Sequence, residues 1–280
     1  MEYVIVTGAT SGIGFQIARC VLSLGFAVIG VGHSSENCAK AEKELHARFP
    51  KAVLHFFPTE LLNQRDVLRA AQNIRNIIGE THTLCGLINN AGGARSRYMT
   101  TEDGIEHQFA LNYLSGFLLT SELLPLLLRS NGIVIMTSSK SHNGIKVHWN
   151  DIMLQDGYNP LTAYKQSKLC DLLFAKAFNM RYANIGVRAY AVDPGLVNTD
   201  IGTKSGGIVK LVWRFRKCSG VTPDIPAKTY AFLLSEGPNG LYYYHETERK
   251  YSKQVTSENA DRLFVLSEKL CGIEFGRERQ

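Results

Sequence analysis

Tyr164 and Lys168 stand four residues apart in Tyr-Lys-Gln-Ser-Lys, downstream of Ser138-Ser139. On a helix, residues at i and i+4 share a face, so the lysine ammonium can lie beside the phenol and favour its ionised form. A free phenol titrates near pH 10 and is a poor base at neutrality, but a neighbouring cation lowers that value. The pair is a proton-transfer device, suited to moving a proton on and off an alcohol or carbonyl oxygen. A serine hydroxyl would stabilise such an oxygen, and by sequence either Ser138 or Ser139 could supply it.

A second group of residues suits a phosphorylated cofactor. Thr7-Gly8-Ala9-Thr10-Ser11-Gly12-Ile13-Gly14 follows the apolar run Tyr3-Val4-Ile5-Val6 and precedes helical spacing at Ile17, Val21 and Leu24. Glycines between a strand and a helix let backbone amides approach a pyrophosphate at the helix N-terminus. Asn89-Asn90-Ala91-Gly92, at the end of a later strand, falls at the same sheet edge and can hold the adenine-side ribose; taken singly it could be an ordinary turn.

The elements that would position these residues alternate. Apolar runs at 3–6, 27–31, 53–57, 84–88, 132–137, 187–192 and 241–244 read as strands. Between them, helical stretches are expected at 15–24, 37–49, 66–78, 105–129, 163–183 and 227–235, with a last helix over 257–271. Short apolar strands alternating with helices predict an α/β fold, a doubly wound, Rossmann-type parallel sheet with helices on both faces. The whole chain, 1–280, reads as one dinucleotide-binding catalytic domain. Its pattern breaks at about 196–226, where a substrate lid is expected. Within that insert, 208–217 carries Trp213 and Phe215 among Lys210, Arg214, Arg216 and Lys217. This composition suits peripheral membrane contact, but the segment is short and not cleanly two-faced, so a solvated helix is the competing reading.

Composition narrows the function classes. With 45% hydrophobic and 20% charged residues, the chain can bury a sizeable core. Its formal charge of +6 favours anionic partners, yet no nucleic-acid-binding motif is present. Six scattered cysteines without a Cys-x-x-Cys pair predict reduced thiols and a cytoplasmic protein. The eight histidines form no metal-ligand pattern, so no metal is expected. The most apolar stretch, 117–128, is interrupted by Ser, Thr, Glu and Pro, short of a membrane span.

These motifs, in this order, resemble the short-chain dehydrogenase/reductase family over nearly the whole chain. The matching residues are Thr7-Gly8-x-x-x-Gly12-x-Gly14, Asn89-Asn90-Ala91-Gly92, Asn112, Ser139, Tyr164-x-x-x-Lys168 and Pro194-Gly195. The resemblance implies carbonyl/alcohol redox chemistry with Tyr164 as general acid/base and Lys168 binding the nicotinamide ribose while lowering the tyrosine pKa. Ser139 would orient the substrate oxygen and Asn112 would hold a relay water. Cofactor contacts are implied for Gly8, Ser11, Gly12, Ile13, Gly14, His33, Asn90, Ala91, Gly92, Tyr164, Lys168, Pro194, Gly195, Val197 and Thr199. The C-terminal half resembles the retinol dehydrogenase-like branch, without an N-terminal membrane anchor, which implies a lipophilic substrate such as a retinoid or steroid. Pairing of helix 105–129 and the Tyr164 helix across a two-fold axis is implied too, and the apolar richness of 105–129 agrees with a homodimer.

Two positions depart from the branch: His33 stands where arginine is usual and Glu60 where aspartate is usual. The stretch from Gly30 to Asn37 is read as offering no carboxylate to bind the ribose diol or repel a 2′-phosphate, and His33-Ser34-Ser35 within it no strong cation to attract one. Hydroxyls and an imidazole can donate to a phosphate, so NADP is expected over NAD, which stays open. Competing functions are a hydroxysteroid or xenobiotic carbonyl reductase and a non-catalytic dinucleotide sensor. A sensor has no need of the Asn112, Ser139, Tyr164, Lys168 set.

Overall fold

The strands read as unbroken apolar runs because both of their faces are covered. In a computed structural model, which describes residues 1–196 and 222–277, β1 (Glu2–Thr7) and β2 (Ala27–Gly32) are buried along nearly their full lengths. They are joined by β3 (Leu54–Pro58), β4 (Thr83–Asn89), β5 (Ile133–Thr137), β6 (Arg188–Val192), β7 (Tyr242–Tyr244) and the short β8 (Thr247–Glu248). The sheet order is β3-β2-β1-β4-β5-β6-β7-β8, parallel from β3 to β7 with β8 antiparallel at the edge. The expected doubly wound parallel sheet is thus present. β8 escaped sequence analysis because two exposed residues carry no alternation to read.

Helix caps shift several boundaries. The Ser34 hydroxyl accepts from Asn37 N, so α2 spans Ser35–Arg48, and the Asn63 side chain accepts from Arg65 N and Asp66 N to start α3, Gln64–Ile78. Such side-chain acceptors satisfy otherwise orphaned amides of the first turn. Likewise Asn159 accepts from Leu161 N and Thr162 N ahead of Pro160, so α6 runs Pro160–Tyr182, three residues earlier than expected. Gly12–Ser23 forms α1, Asp224–Glu236 forms α7 and Ser257–Cys271 forms α8. Helix α7 begins inside the expected insert at 196–226, and 197–221 lies outside the described residues, with the 208–217 segment in it.

The expected helix 105–129 is a composite. One α-turn, α4 (His107–Phe109), leads through a π turn (Ala110–Leu114) into α5 (Ser115–Ser130). Joined in this way, His107–Ser130 is long and apolar enough to cross a membrane, a length the interrupted sequence pattern did not suggest. It is instead a core helix, with 72% of its most apolar window buried. That burial takes up, inside the subunit, most of the apolar surface that favoured a homodimer.

Aromatic packing fixes α5, α6 and α8 to one another. Phe117 meets Phe174, Phe264 and Phe275 with ring centroids 5.7, 5.2 and 4.9 Å away. The Arg181 guanidinium covers the Phe264 ring at 4.0 Å and pairs with Asp261 at 2.8 Å. Phe117→Ala is expected to remove about 3–5 kcal/mol of unfolding free energy. Chemical denaturation of the two proteins checks it, and a loss under about 1 kcal/mol would mean that this cluster does not pin the helices.

Candidate active site

Every candidate residue that the structure describes lies at or near the C-terminal ends of the parallel strands, where the crossovers diverge and open α/β sheets leave a crevice. The glycine turn follows β1. Gly8 and Gly12 take φ of 67° and 57°, a left-handed backbone that side chains resist. A Cβ on Gly14 would strike the Gly8 carbonyl, so the turn closes only on glycine. Ser11 caps α1 without a side-chain hydrogen bond, and the first turn holds no acidic residue. An N-terminus so arranged fits an anion.

The Asn89–Gly92 bend is braced against that turn. Thr7 Oγ1 accepts from Asn90 N at 2.9 Å and Ala91 N at 3.0 Å, and Asn90 Nδ2 donates to Thr7 O at 3.0 Å. The Asn90 side chain is therefore engaged within the protein. Gly92 stays close to the lysine: a Cβ there would sit 3.0 Å from Asn112 Oδ1 and 3.8 Å from Lys168 Nζ.

Ser139 and Tyr164 come together. The Ser139 hydroxyl lies close enough to the Tyr164 phenol to pull its pKa down, and it accepts from Ser141 N at 3.2 Å. Ser138 instead points inward, donating to the Lys168 carbonyl at 2.7 Å, which separates two serines that sequence left equivalent. Lys168 Nζ lies 5.9 Å from the Tyr164 ring centroid, donating to Thr137 O at 2.6 Å and to Asp171 Oδ2 at 3.1 Å. Burial pushes the Tyr164 phenol up, Lys168 and Ser139 pull it down, and Asp193 and Asp171 push it up. The balance in the protein alone stays above the ordinary tyrosine value.

Asn112 sits in the π turn. Its Nδ2 donates to Gly93 O at 3.0 Å and Ser167 Oγ at 2.9 Å, and its Oδ1 accepts from Gly93 N at 2.8 Å. Three of the amide's hydrogen-bonding positions are thus taken. After β6, Asp193 Oδ1 accepts from Gly195 N at 2.9 Å and Tyr242 donates to Asp193 Oδ2 at 3.2 Å, which shapes the Pro194-Gly195 turn. Val197 and Thr199 lie outside the described residues.

Two contributors carried no sequence signal. His142, fully buried, meets Ser139 O through Nδ1 at 2.7 Å, while Nε2 takes the Ser252 amide at 3.3 Å. Burial lowers its pKa, so the ring is neutral, with Nδ1 as donor and Nε2 as acceptor. Tyr158 donates to Glu106 Oε1 at 3.0 Å and accepts from Gln108 Nε2 at 2.8 Å, tying the segment before α6 to α4. Neither a buried loop histidine nor a distant Glu/Tyr pair has a periodicity to betray it.

At the end of β2, His33 does not stand alone. Its Nδ1 lies 3.4 Å from Glu60 Oε2, and both side chains are exposed. Glu36 also stands close by, in the first turn of α2. The neighbourhood read as free of carboxylates is so only over His33-Ser34-Ser35. Among the described residues no cluster of three or more His, Cys, Asp or Glu could hold a metal, and Cys20, Cys38, Cys85 and Cys170 are free thiols.

Comparison with known proteins agrees with this geometry. Residues 2–207 match the short chain dehydrogenase family model. The chain is 31% identical to human retinol dehydrogenase 13 over 287 residues, covering 97% of this chain and 85% of that protein. It is 33% identical to human polyprenol dehydrogenase over 262 residues, covering 88% and 77%. Among solved structures, an uncharacterized protein from Mycobacterium Paratuberculosis superposes with a TM-score of 0.75 at 27% identity, over 98% of this chain and 94% of that one. With its strand order, its glycine turn and its Ser139, Tyr164 and Lys168 side chains gathered at one sheet edge, the chain belongs to the short-chain dehydrogenase/reductase family, in its retinol dehydrogenase-like branch.

Proposed function

We propose that this protein interconverts an alcohol and a carbonyl on a lipophilic substrate, retinoid-like or steroid-like, using NADP(H). The observation that carries the proposal is the Tyr164 phenol with the Lys168 ammonium 5.9 Å from its ring and the Ser139 hydroxyl beside it. A lipophilic substrate is suggested by the names of the retinol and polyprenol dehydrogenases to which the chain is similar.

A bound nicotinamide would supply or accept the hydride. The glycine turn and the α1 N-terminus would hold its pyrophosphate, Lys168 its ribose, and the bend at Ala91-Gly92 and the Pro194-Gly195 turn its flanks. In reduction, Tyr164 gives its phenolic proton to the carbonyl oxygen, while the Ser139 hydroxyl donates to that oxygen as negative charge develops on it. In oxidation the phenolate takes the proton back. Oxidation therefore gains as pH rises through the phenol's titration, and reduction loses over the same range. Asn112 fixes Gly93 and the π turn, leaving one Oδ1 lone pair or the main chain there for a relay water. The protein acts in the cytoplasm, with 208–217 as its candidate contact to a membrane surface.

Tyr164→Phe is expected to keep cofactor binding and lose turnover by about 100-fold or more. Lys168→Ala should weaken cofactor binding as well. Absorbance at 340 nm over a panel of retinoid, steroid and simple aldehydes and ketones reads both. A Phe variant that keeps most of its kcat removes Tyr164 from the mechanism, and a wild-type protein that binds cofactor tightly yet turns over nothing points to a sensor.

Cofactor choice should be modest in margin, because the His33 that would meet a 2′-phosphate is shared with Glu60. NADPH is expected to exceed NADH in kcat/KM by a hydrogen bond of about 1–3 kcal/mol when His33 is protonated and by less when it is neutral. Glu60→Gln and His33→Arg should widen the preference, and His33→Asp should reverse it. Native preference for NADH that His33→Asp leaves untouched would place phosphate recognition elsewhere.

The assembly is proposed as a homodimer on the family resemblance. Light scattering should give a mass near twice the 31.1 kDa of the chain; a monomer mass independent of concentration rejects it.

A further inference from the structure

We propose that Asp171 is a positioning residue that acts through Lys168 as its counter-charge, so that the charge beneath Tyr164 switches with pH. The inference rests on the assignment of Tyr164 and Lys168 made above. Asp171 lies one turn beyond Lys168 on α6, is fully buried, and holds the ammonium with Oδ2 at 3.1 Å. Its Oδ1 is buried and has no hydrogen-bond partner.

A carboxylate so placed is a poor way to add stability. Desolvating an ion pair costs several kcal/mol, and the half-satisfied oxygen adds to that cost. Nor is it needed to aim the lysine, which the Thr137 carbonyl already holds at 2.6 Å. What Asp171 adds is charge. Burial pushes its carboxyl up to about 7, against the pull of Lys168. Below that pH the pair bears the ammonium's full charge, and above it the pair is neutral.

Other titratable groups face Asp171 from three elements. On α6 they are Lys168, Tyr164 and Cys170; the π turn adds Tyr113, bonded to Ser267 of α8, and α7 adds Tyr230, bonded to Thr137. Burial raises the phenols of Tyr113 and Tyr230 and the thiol of Cys170 above their ordinary values. Asp193, from β6, is the other carboxylate bearing on Tyr164, and its two oxygens are engaged by Gly195 and Tyr242. Asp171 is thus a group whose ionisation near neutrality changes the field at the phenol.

An ammonium has three N–H donors. With Thr137 and Asp171 each taking one, a single donor is left for a ribose hydroxyl, and it strengthens when Asp171 is neutral. Two consequences follow for experiment. In alcohol oxidation, the rising limb of kcat/KM against pH should move to lower pH in Asp171→Asn, which keeps the shape but not the charge. Over two helical turns, roughly 10 Å, the shift is on the order of half to one pH unit. Asp171→Leu should shift it the same way.

The second arm needs no turnover. Fluorescence titration with NADH, which lacks the 2′-phosphate that His33 would meet, should show affinity weakening by about 3- to 10-fold as pH rises through about 7 in the wild type. The dependence should flatten in Asp171→Asn. Superimposable pH profiles for wild type and a folded Asp171→Asn protein overturn the proposal, as does a wild-type NADH affinity that is flat from about pH 5.5 to 8.5. That wild-type measurement decides the matter even if both variants fail to fold. Absence of turnover with every substrate would defeat the proposed function instead, and leaves the NADH arm intact.

Discussion

The structure depends on a buried ammonium. Lys168 is 5% exposed, and a cation so removed from water is tolerated only where oxygens replace its hydration. The Thr137 carbonyl, at the end of β5, is the first of them. This contact ties the middle of α6 to the edge of the sheet. Ser138, the next residue, returns a second bond to the Lys168 carbonyl. With helix and strand end locked at two adjacent residues, Ser139 has little choice but to face Tyr164, one turn earlier on the same helix.

The scaffold around this contact makes it rigid. Helix α6 is buried on most sides, between the sheet, α5 and α8, and the Phe117, Phe174, Phe264 and Phe275 rings interlock at its far end. At its near end, Asn159 caps it and Gln108 donates to the Pro160 carbonyl at 3.2 Å. The π turn then has a clear role. One extra residue per turn at Ala110–Leu114 re-aims the helix so that Asn112 reaches Gly93 and Ser167 at once. The bend after β4 and the face of α6 are held together by that single amide.

Electrostatics in the site are a contest between burial and charge. Alone, the protein keeps the Tyr164 phenol above its ordinary value, because loss of water outweighs the ammonium and the serine. The site is thus incomplete as a base until positive charge arrives on the open side of the phenol. Asp171 and Asp193 push in the same direction as burial, which leaves the balance open to adjustment by single charges.

Sequence by itself determined the fold class and picked out the candidate reacting groups. Parallel strands covered on both faces must be apolar throughout, and a tyrosine with a lysine one turn away is a local fact of helical geometry, so both were legible. The same locality explains what was missed. Ser138 and Ser139 differ only in which way an extended chain turns them, and the Lys168 carbonyl decides it. Glu60 and His33, Tyr158 and Glu106, His142 and Ser252 are pairs far apart in sequence, brought within hydrogen-bonding reach only when the crossovers pack. The apolar excess of the helix at 107–130 looked like surface for a partner subunit, until tertiary packing enclosed most of it between sheet and helices. Periodicity shows that a face is apolar; only the assembled core shows what covers it.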